Sequence, residues 1–424
     1  MPSFMRPLLL ALSLLVSACV TVPSGGQGEG VPPPRRAPLI LVSLDGFRAD
    51  YLGRGRSPVL SALAASGVTA DAMRPAFPSV TEPNHYTLVT GLYPDHHGIV
   101  YNVMEDPNLA PNGFFNHTDH RSIADERWWN AATPLWVGAE RRGLRTAAMF
   151  WPGSDVAIHG VRPSLWKPYD GTVAPERRVD GVLEWLDLPE GQRPDFITLY
   201  FEQADEAGHA GGPDSMAVDE ALGRIDGALG RLFDGLRRRN LFERVNLLIV
   251  SDHGMAATAA ERVVFLDDLA DPADVHVLTT GAVTELRALP GREAAVESRL
   301  LMPREHVACW RKADIPVALH YGANSRVPPF VCLAEPGWLV TSRRAMAEMQ
   351  AKGRAFGAGA HGYDPADPAM AALFVAHGPA FRSGVRQPAF DNVELYSLLC
   401  RLLNVPPEPN DGQADRLLGI LRTD

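Results

Sequence analysis

Residues 39–45 read LILVSLD, a short run suited to a buried strand and followed at once by an acid. The run is apolar almost without interruption rather than alternating, which predicts a strand covered on both faces, as in a parallel sheet with helices on either side. Residues 146–150, 196–201 (FITLYF) and 245–250 (VNLLIV) share that character. Helical segments lie between them. Ser57 and Pro58 open one that Gly67 can close, and residues 175–186 and 214–239 make longer ones. Strands alternating with helices specify an α/β fold with a largely parallel central sheet. From 263 to about 359 the pattern changes to short strand-like pieces around a helical 292–301, which predicts a smaller, inserted and more antiparallel lobe. The α/β pattern resumes at 370–376 and in a helix over 392–403.

The whole chain has 424 residues, 40 Lys+Arg against 50 Asp+Glu for a net charge of −10, 46% hydrophobic residues and four Cys. That composition excludes a disordered tail, a collagen-like fibre and a disulfide-dense mini-protein. An acidic balance without a Lys/Arg-rich block excludes a specific nucleic-acid partner held by phosphate contacts. A small phosphate ligand is compatible with it where metal or backbone donors supply the positive charge.

The N-terminus carries an address. Arg6 precedes the apolar run 8–16 (LLLALSLLV), which is too short to span a bilayer and is shaped like a signal-peptide core. It ends in Val16-Ser17-Ala18-Cys19, which resembles a bacterial lipobox. Two readings stand: cleavage before Cys19 with acylation of that residue, or an ordinary secretory signal cleaved near Ala18. Residues 1–18 are thus read as a signal peptide and 19–37, rich in Gly, Pro and Ser, as a tether. The folded domain is expected over 38–424. Both readings place the protein outside the cytoplasm, in the periplasm or cell envelope, with membrane contact only through a lipid on Cys19. An oxidising compartment permits one disulfide, for which Cys309 and Cys332 are the expected pair, with Cys400 a buried thiol.

Three of the strand runs end in aspartate: Asp45 after LILVSL, Asp205 after FITLYFEQA and Asp252 after LLIVS. Ligands of open α/β sheets bind outside the carboxyl ends of the strands. Acids gathered there repel unless cations hold them. His209 follows Asp205 by four residues, so both share one face of a helical turn; His253 follows Asp252, and His361 stands in GAGAHGYD. Three carboxylates and three imidazoles suit zinc rather than magnesium. Each residue taken singly also has a bland reading: an Asp after a strand caps a helix, and a His is a surface hydrogen-bonding group. Residues 77–98, FPSVTEPNHYTLVTGLYPDHHG, place Thr81 just ahead of a helix expected to begin near Pro83. Thr81 is either a helix cap or, beside a metal ion, an activated nucleophile.

The segments LVSLDGFRADYL, FPSVTEPNHYTLVTGLYPDHHGIV, YFEQADEAGH, IVSDHGM and AHGYD, in that order, resemble the nucleotide pyrophosphatase/phosphodiesterase family of the alkaline phosphatase superfamily. The resemblance implies an alkaline-phosphatase-like fold. It also implies two Zn2+ ions, one on Asp205, His209 and His361 and the other on Asp45, Asp252 and His253. Thr81 would bridge them as the nucleophile that forms a covalent phospho-threonine. Asn102 matches the position that donates a hydrogen bond to a phosphoryl oxygen. A sulfatase would need a cysteine in its nucleophile segment, and no Cys lies between residues 20 and 308. Phosphomonoesterase relatives use a further cation on the phosphate, and the sequence identifies none. A non-catalytic surface binding protein is the rival of a different class, and the full ligand set with Thr81 argues against it.

The sequence departs from the family at the substrate pocket. Nucleotide-cleaving members commonly carry an aromatic residue directly after the nucleophile, where this chain has Glu82. A second stacking ring is expected near Leu165, with Trp166 and Tyr169 as neighbours that could replace it. The substrate is expected to be a small phosphodiester or phosphoanhydride, either a nucleotide ester held with loose base selectivity or a choline or glycerol phosphodiester.

Overall fold

The run Leu39–Leu44 forms strand β1, buried throughout. Its side chains divide between two apolar clusters, Leu39 and Leu41 in one, Ile40, Val42 and Leu44 in the other. Pleating sends successive side chains to opposite faces, and with both faces covered an unbroken apolar run is what the strand requires. The computed structural model describes residues 37–109, 113–352 and 357–423. The signal-peptide reading, Cys19 and nearly all of the tether lie outside the described residues.

With β1, the strands of the two larger sheets are, in chain order, β2 (Val68–Ala70), β3 (Thr146–Met149), β4 (Leu165–Lys167), β5 (Phe196–Phe201), β6 (Asn246–Val250), β7 (Val275–Thr279), β8 (Val283–Ala288), β9 (Val307–Arg311), β10 (Phe330–Ala334), β11 (Phe374–His377) and β12 (Val385–Gln387). Eight of them make the central sheet in the order β12-β2-β11-β6-β1-β5-β3-β4. From β6 to β4 the neighbours run parallel, whereas β11 is antiparallel to both β6 and β2. The reversal follows from chain path. After β6 the chain builds the segment holding β7 to β10 and then enters β11 in the opposite sense. His361, just ahead of β11, is thereby returned to the carboxyl edge of the parallel strands.

Helices α1 (Pro58–Ser66), α2 (Thr81–Thr90), α3 (Pro175–Leu186), α4 (Gln203–Gly211), α5 (Met216–Arg238) and α6 (Leu395–Leu403) cover the sheet. Side chains of α1, α3 and α5 pack on the Ile40 side, those of α2 and α6 on the Leu39 side. Gly67 ends α1 where strand β11 passes closely, since a Cβ there would sit 2.3 Å from the Ala376 carbonyl oxygen. Strands β7-β8-β10-β9 form a separate antiparallel sheet with its own apolar cluster around Leu286, Val296 and Phe330. Cys309 and Cys332 are direct cross-strand partners in it and form a disulfide, and Cys400 is a buried free thiol. Among the described residues no helix is long and apolar enough to cross a membrane.

Candidate active site

The parallel register sets Leu44 opposite Phe201 and Ser43 opposite Val250, so β1, β5 and β6 end level. Asp45, Asp205 and Asp252 follow those ends and meet at one edge. One oxygen of each, Asp45 Oδ1, Asp205 Oδ1 and Asp252 Oδ2, is buried without a hydrogen-bond partner. Buried carboxylate oxygens left unpaired are costly. The other oxygens of two of them are engaged: Asp45 Oδ2 accepts from the Tyr200 hydroxyl at 2.6 Å, and Asp252 Oδ1 accepts from the Gly46 N–H at 3.2 Å.

Three imidazoles face the unpaired oxygens. His209 Nε2 and His361 Nε2 lie 3.4 and 3.6 Å from Asp205 Oδ1 and 3.1 Å from each other. His253 Nε2 lies 3.5 Å from Asp45 Oδ1 and 3.1 Å from Asp252 Oδ2. In every ring the other nitrogen meets a backbone carbonyl: Gly359 for His209, Gly254 for His253 and Ser79 for His361, at 2.8–2.9 Å. A carbonyl only accepts, so Nδ1 carries the proton and Nε2 keeps a lone pair, the tautomer a metal ligand needs. Zinc–nitrogen and zinc–oxygen bonds of about 2.0–2.1 Å in a tetrahedron put ligand atoms roughly 3.3 Å apart. The separations above bracket that value, so the donor set fits divalent metal.

Proximity alone groups the donors as Asp205 with His253 and His361, and Asp45 with His85 and Asp252. His85 is the residue sequence reasoning missed, although it follows Thr81 by one helical turn. Its Nδ1 donates to the Thr81 carbonyl at 2.9 Å, so its Nε2 accepts from the Ser43 hydroxyl at 2.8 Å. With no lone pair free, His85 buttresses the site, and His253 is the nitrogen donor beside Asp45 and Asp252.

The protonation pattern shows the same congestion. Burial, then repulsion from Asp252 and Asp205, pushes the Asp45 carboxyl well up, and burial raises Asp205. Burial also works against ionised Asp252, yet wherever the metal-free His253 and His85 rings take up protons their charge holds it below the usual carboxylate range. His361 is driven well down by burial and by His253 and His209.

Thr81 is the first residue of α2, with Val80 at its cap. The helix therefore starts two residues earlier than expected, and Thr81 is not the cap. Its Oγ1 lies 3.4 Å from His253 Nε2. The preceding loop is pinned by Asn84, whose Nδ2 donates to the Pro78 and Val80 carbonyls at 2.9 Å. Asn102 Oδ1 accepts the Glu82 N–H at 2.9 Å, which ties Asn102 to the first turn of α2.

A cavity of about 420 Å³ opens beside Thr81, walled by Glu82, Trp151, Asp155, Lys167, Tyr169 and Tyr200 among others. Of the three residues expected at a stacking position, Tyr169 lines the cavity and Leu165 and Trp166 are not among the lining residues. Leu165 packs against the apolar cluster under the sheet, and the Trp166 ring lies beneath the Arg162 guanidinium at 5.1 Å. Both belong to β4, paired with β3, and only past the strand end does the chain bring Tyr169 to the opening. Lys167, which sequence reasoning did not single out, is a cationic side chain on the cavity wall. The Glu82 carboxyl is pushed up to about 8 by burial, with Asp155 and Asp252 adding repulsion. A larger open groove of about 1050 Å³ between Phe114 and Arg326 carries none of the metal donors.

Fold and site together define an alkaline-phosphatase-like α/β protein with two candidate metal-binding groups beside a threonine. The profile of type I phosphodiesterase / nucleotide pyrophosphatase matches residues 39–364. Ectonucleotide pyrophosphatase/phosphodiesterase family member 1 of Homo sapiens is 39% identical over 397 residues, covering 91% of this chain and 42% of that protein. A venom phosphodiesterase of Naja atra is 37% identical over 398 residues, covering 91% of this chain and 46% of the relative. The chain thus spans less than half the length of these two relatives. Among solved structures, murine ectonucleotide pyrophosphatase/phosphodiesterase 5 superposes with a TM-score of 0.85 at 36% identity, covering 91% of this chain and 100% of that one. The same murine protein, inactivated by a threonine-to-alanine substitution, has been solved in complex with AMP. The chain belongs to the type I phosphodiesterase/nucleotide pyrophosphatase family.

Proposed function

We propose that the protein hydrolyses phosphodiester or phosphoanhydride bonds through a covalent phospho-threonine on Thr81, with two zinc ions as cofactors. The observation that carries this reading is the meeting of three unpaired buried carboxylate oxygens with three imidazole Nε2 atoms beside the Thr81 hydroxyl. Asp205, His209 and His361 would hold one ion, and Asp45, Asp252 and His253 the other. Bound there, the metal would lower the pKa of a neighbouring hydroxyl and neutralise charge on the attacking and leaving oxygens.

The chain's own residues account for the rest. Thr81 Oγ1, deprotonated, attacks phosphorus; its new P–O bond forms as the bond to the leaving alcohol or phosphate breaks, and the leaving oxygen takes up a proton. Water then cleaves the phospho-threonine and restores the hydroxyl. The Asn102 amide donates to a non-bridging phosphoryl oxygen, and it is pre-set for this because its carbonyl is held by the Glu82 N–H. The first N–H groups of α2 add positive potential at the same place.

Nucleotide esters held with loose base selectivity are the favoured substrates, on the strength of the Tyr169 ring at the cavity and the AMP complex of the murine relative. A choline or glycerol phosphodiester is the second reading. Glu82 and Asp155 favour it once ionised, above the raised Glu82 pKa of about 8, as carboxylates on the cavity wall that could receive a cationic headgroup. Export to the cell envelope, with a lipid on Cys19, belongs to the same proposal and rests on the N-terminal sequence alone.

The test is dialysis against a chelator followed by zinc add-back, with a nitrophenyl phosphodiester as substrate, alongside Thr81→Ala and Thr81→Ser. Loss of turnover in the metal-free chain, recovery with zinc, an inactive alanine variant that still binds zinc and a partly active serine variant are expected. Full activity without metal ends the proposal, as does inversion at a chiral phosphorothioate, because two displacements at phosphorus retain configuration.

A further inference from the structure

The Asp45 carboxylate has two oxygens and can turn about its Cβ–Cγ bond, yet only Oδ1 points to the imidazole cluster, 3.5 Å from His253 Nε2. Oδ2 is taken by the Tyr200 hydroxyl at 2.6 Å. We infer that Tyr200 is a positioning residue of the metal centre, whose hydroxyl fixes the Asp45 carboxylate so that Oδ1 alone is presented for ligation. The inference rests on the metal reading above and adds to it a residue outside the expected ligand set.

Tyr200 is itself tightly held. Its ring meets the His85 ring edge-on at 5.3 Å and the Tyr169 ring at 6.0 Å. Its backbone lies in β5, opposite Ser43 of β1. Its carbonyl accepts from Arg178 Nη1 at 2.9 Å. Arg178 is fully buried. It pairs with Glu202 through both carboxylate oxygens, with Nη2 2.6 Å from Oε1, and lies over the Phe150 ring at 5.0 Å. The strand end bearing Tyr200 is therefore clamped from the α3 side, and the phenol transmits that fixed position to Asp45. Hydrogen bonds from such outer partners orient ligands, and their loss typically weakens metal binding about 10- to 100-fold. A ring that merely walls the cavity would not need its hydroxyl.

The experiment uses the full chain as wild type, Tyr200→Phe and Tyr200→Leu, each titrated with zinc against a chromophoric chelator and assayed for turnover across zinc concentration. Tyr200→Phe keeps the ring, so its metal-free thermal melting should match wild type while its weaker zinc site loses about 10- to 100-fold in affinity. Its kcat should recover substantially as zinc is raised. Tyr200→Leu should bind zinc no better than Tyr200→Phe. Wild-type zinc affinity in Tyr200→Phe overturns the inference, whether or not Tyr200→Leu is impaired. Failure of the wild-type chain to bind zinc overturns it together with the metal reading, so the two failures are distinguishable.

Discussion

The two walls of the cleft are built in different ways. On the candidate metal-donor wall nearly every group has its spare polar atom tied down: His209, His253 and His361 each give their Nδ1–H to a backbone carbonyl, and Asp45 and Asp252 each have one oxygen engaged. On the substrate wall Glu82, Asp155 and Lys167 line the cavity with no ion pair among the described residues. The first wall is pre-organised, so that a ligand atom finds its geometry without reorganisation. The second carries one lysine and two carboxyl groups that burial biases toward the neutral form. Chemistry is therefore fixed by the scaffold, and selectivity by a few replaceable side chains.

Breaking the donor wall should have the largest effect. Asp252→Ala or His361→Ala should lower kcat/KM on a nitrophenyl diester by about a thousandfold or more, because one missing ligand disables a site acting as a unit; a near-normal rate would show that the removed group is only structural. Asn102→Ala should come next, with kcat down about a hundredfold through loss of a donor to developing charge. Measured on the same diester, an unchanged rate would remove Asn102 from the site.

Smaller effects sharpen the substrate wall. Glu82→Phe should shift the kcat/KM ratio of thymidine nitrophenyl phosphate to nitrophenyl phosphocholine about tenfold toward the nucleotide, since a stacking ring is worth about 1–3 kcal/mol and a carboxylate is removed. A ratio that stays put would place selectivity elsewhere in the cavity. Smallest is the contrast between neighbours. Tyr169→Ala should cost about tenfold in kcat/KM for the thymidine ester, while Trp166→Ala, under Arg162 and away from the cavity, should stay within about twofold. Equal losses in the two variants would contradict the placement of the rings.

Much of this was legible in the chain. An unbroken apolar run can only be satisfied by burial on both faces, so the strands and the acids at their carboxyl ends follow from local sequence, as does the i, i+4 pairing of Asp205 with His209. The helix starts at Thr81, two residues ahead of Pro83, because proline is a good first-turn residue but capping patterns do not say which preceding residue turns helical.

What only the tertiary structure decided depends on direction and return path. Trp166 and Tyr169 stand three residues apart and have similar composition signals, yet strand pairing puts one under an arginine and the chain beyond the strand puts the other at the cavity. His361 reaches the donor wall because the chain comes back ahead of an antiparallel β11, and the cross-chain hydrogen bonds of His85 and Tyr200 exist only once β1, α2 and β5 are side by side. Apolar pattern and residue type are properties of neighbours along the chain, and the sequence determines them by itself. Side-chain aim is set by register and by elements distant in sequence, so it is settled only when the fold closes.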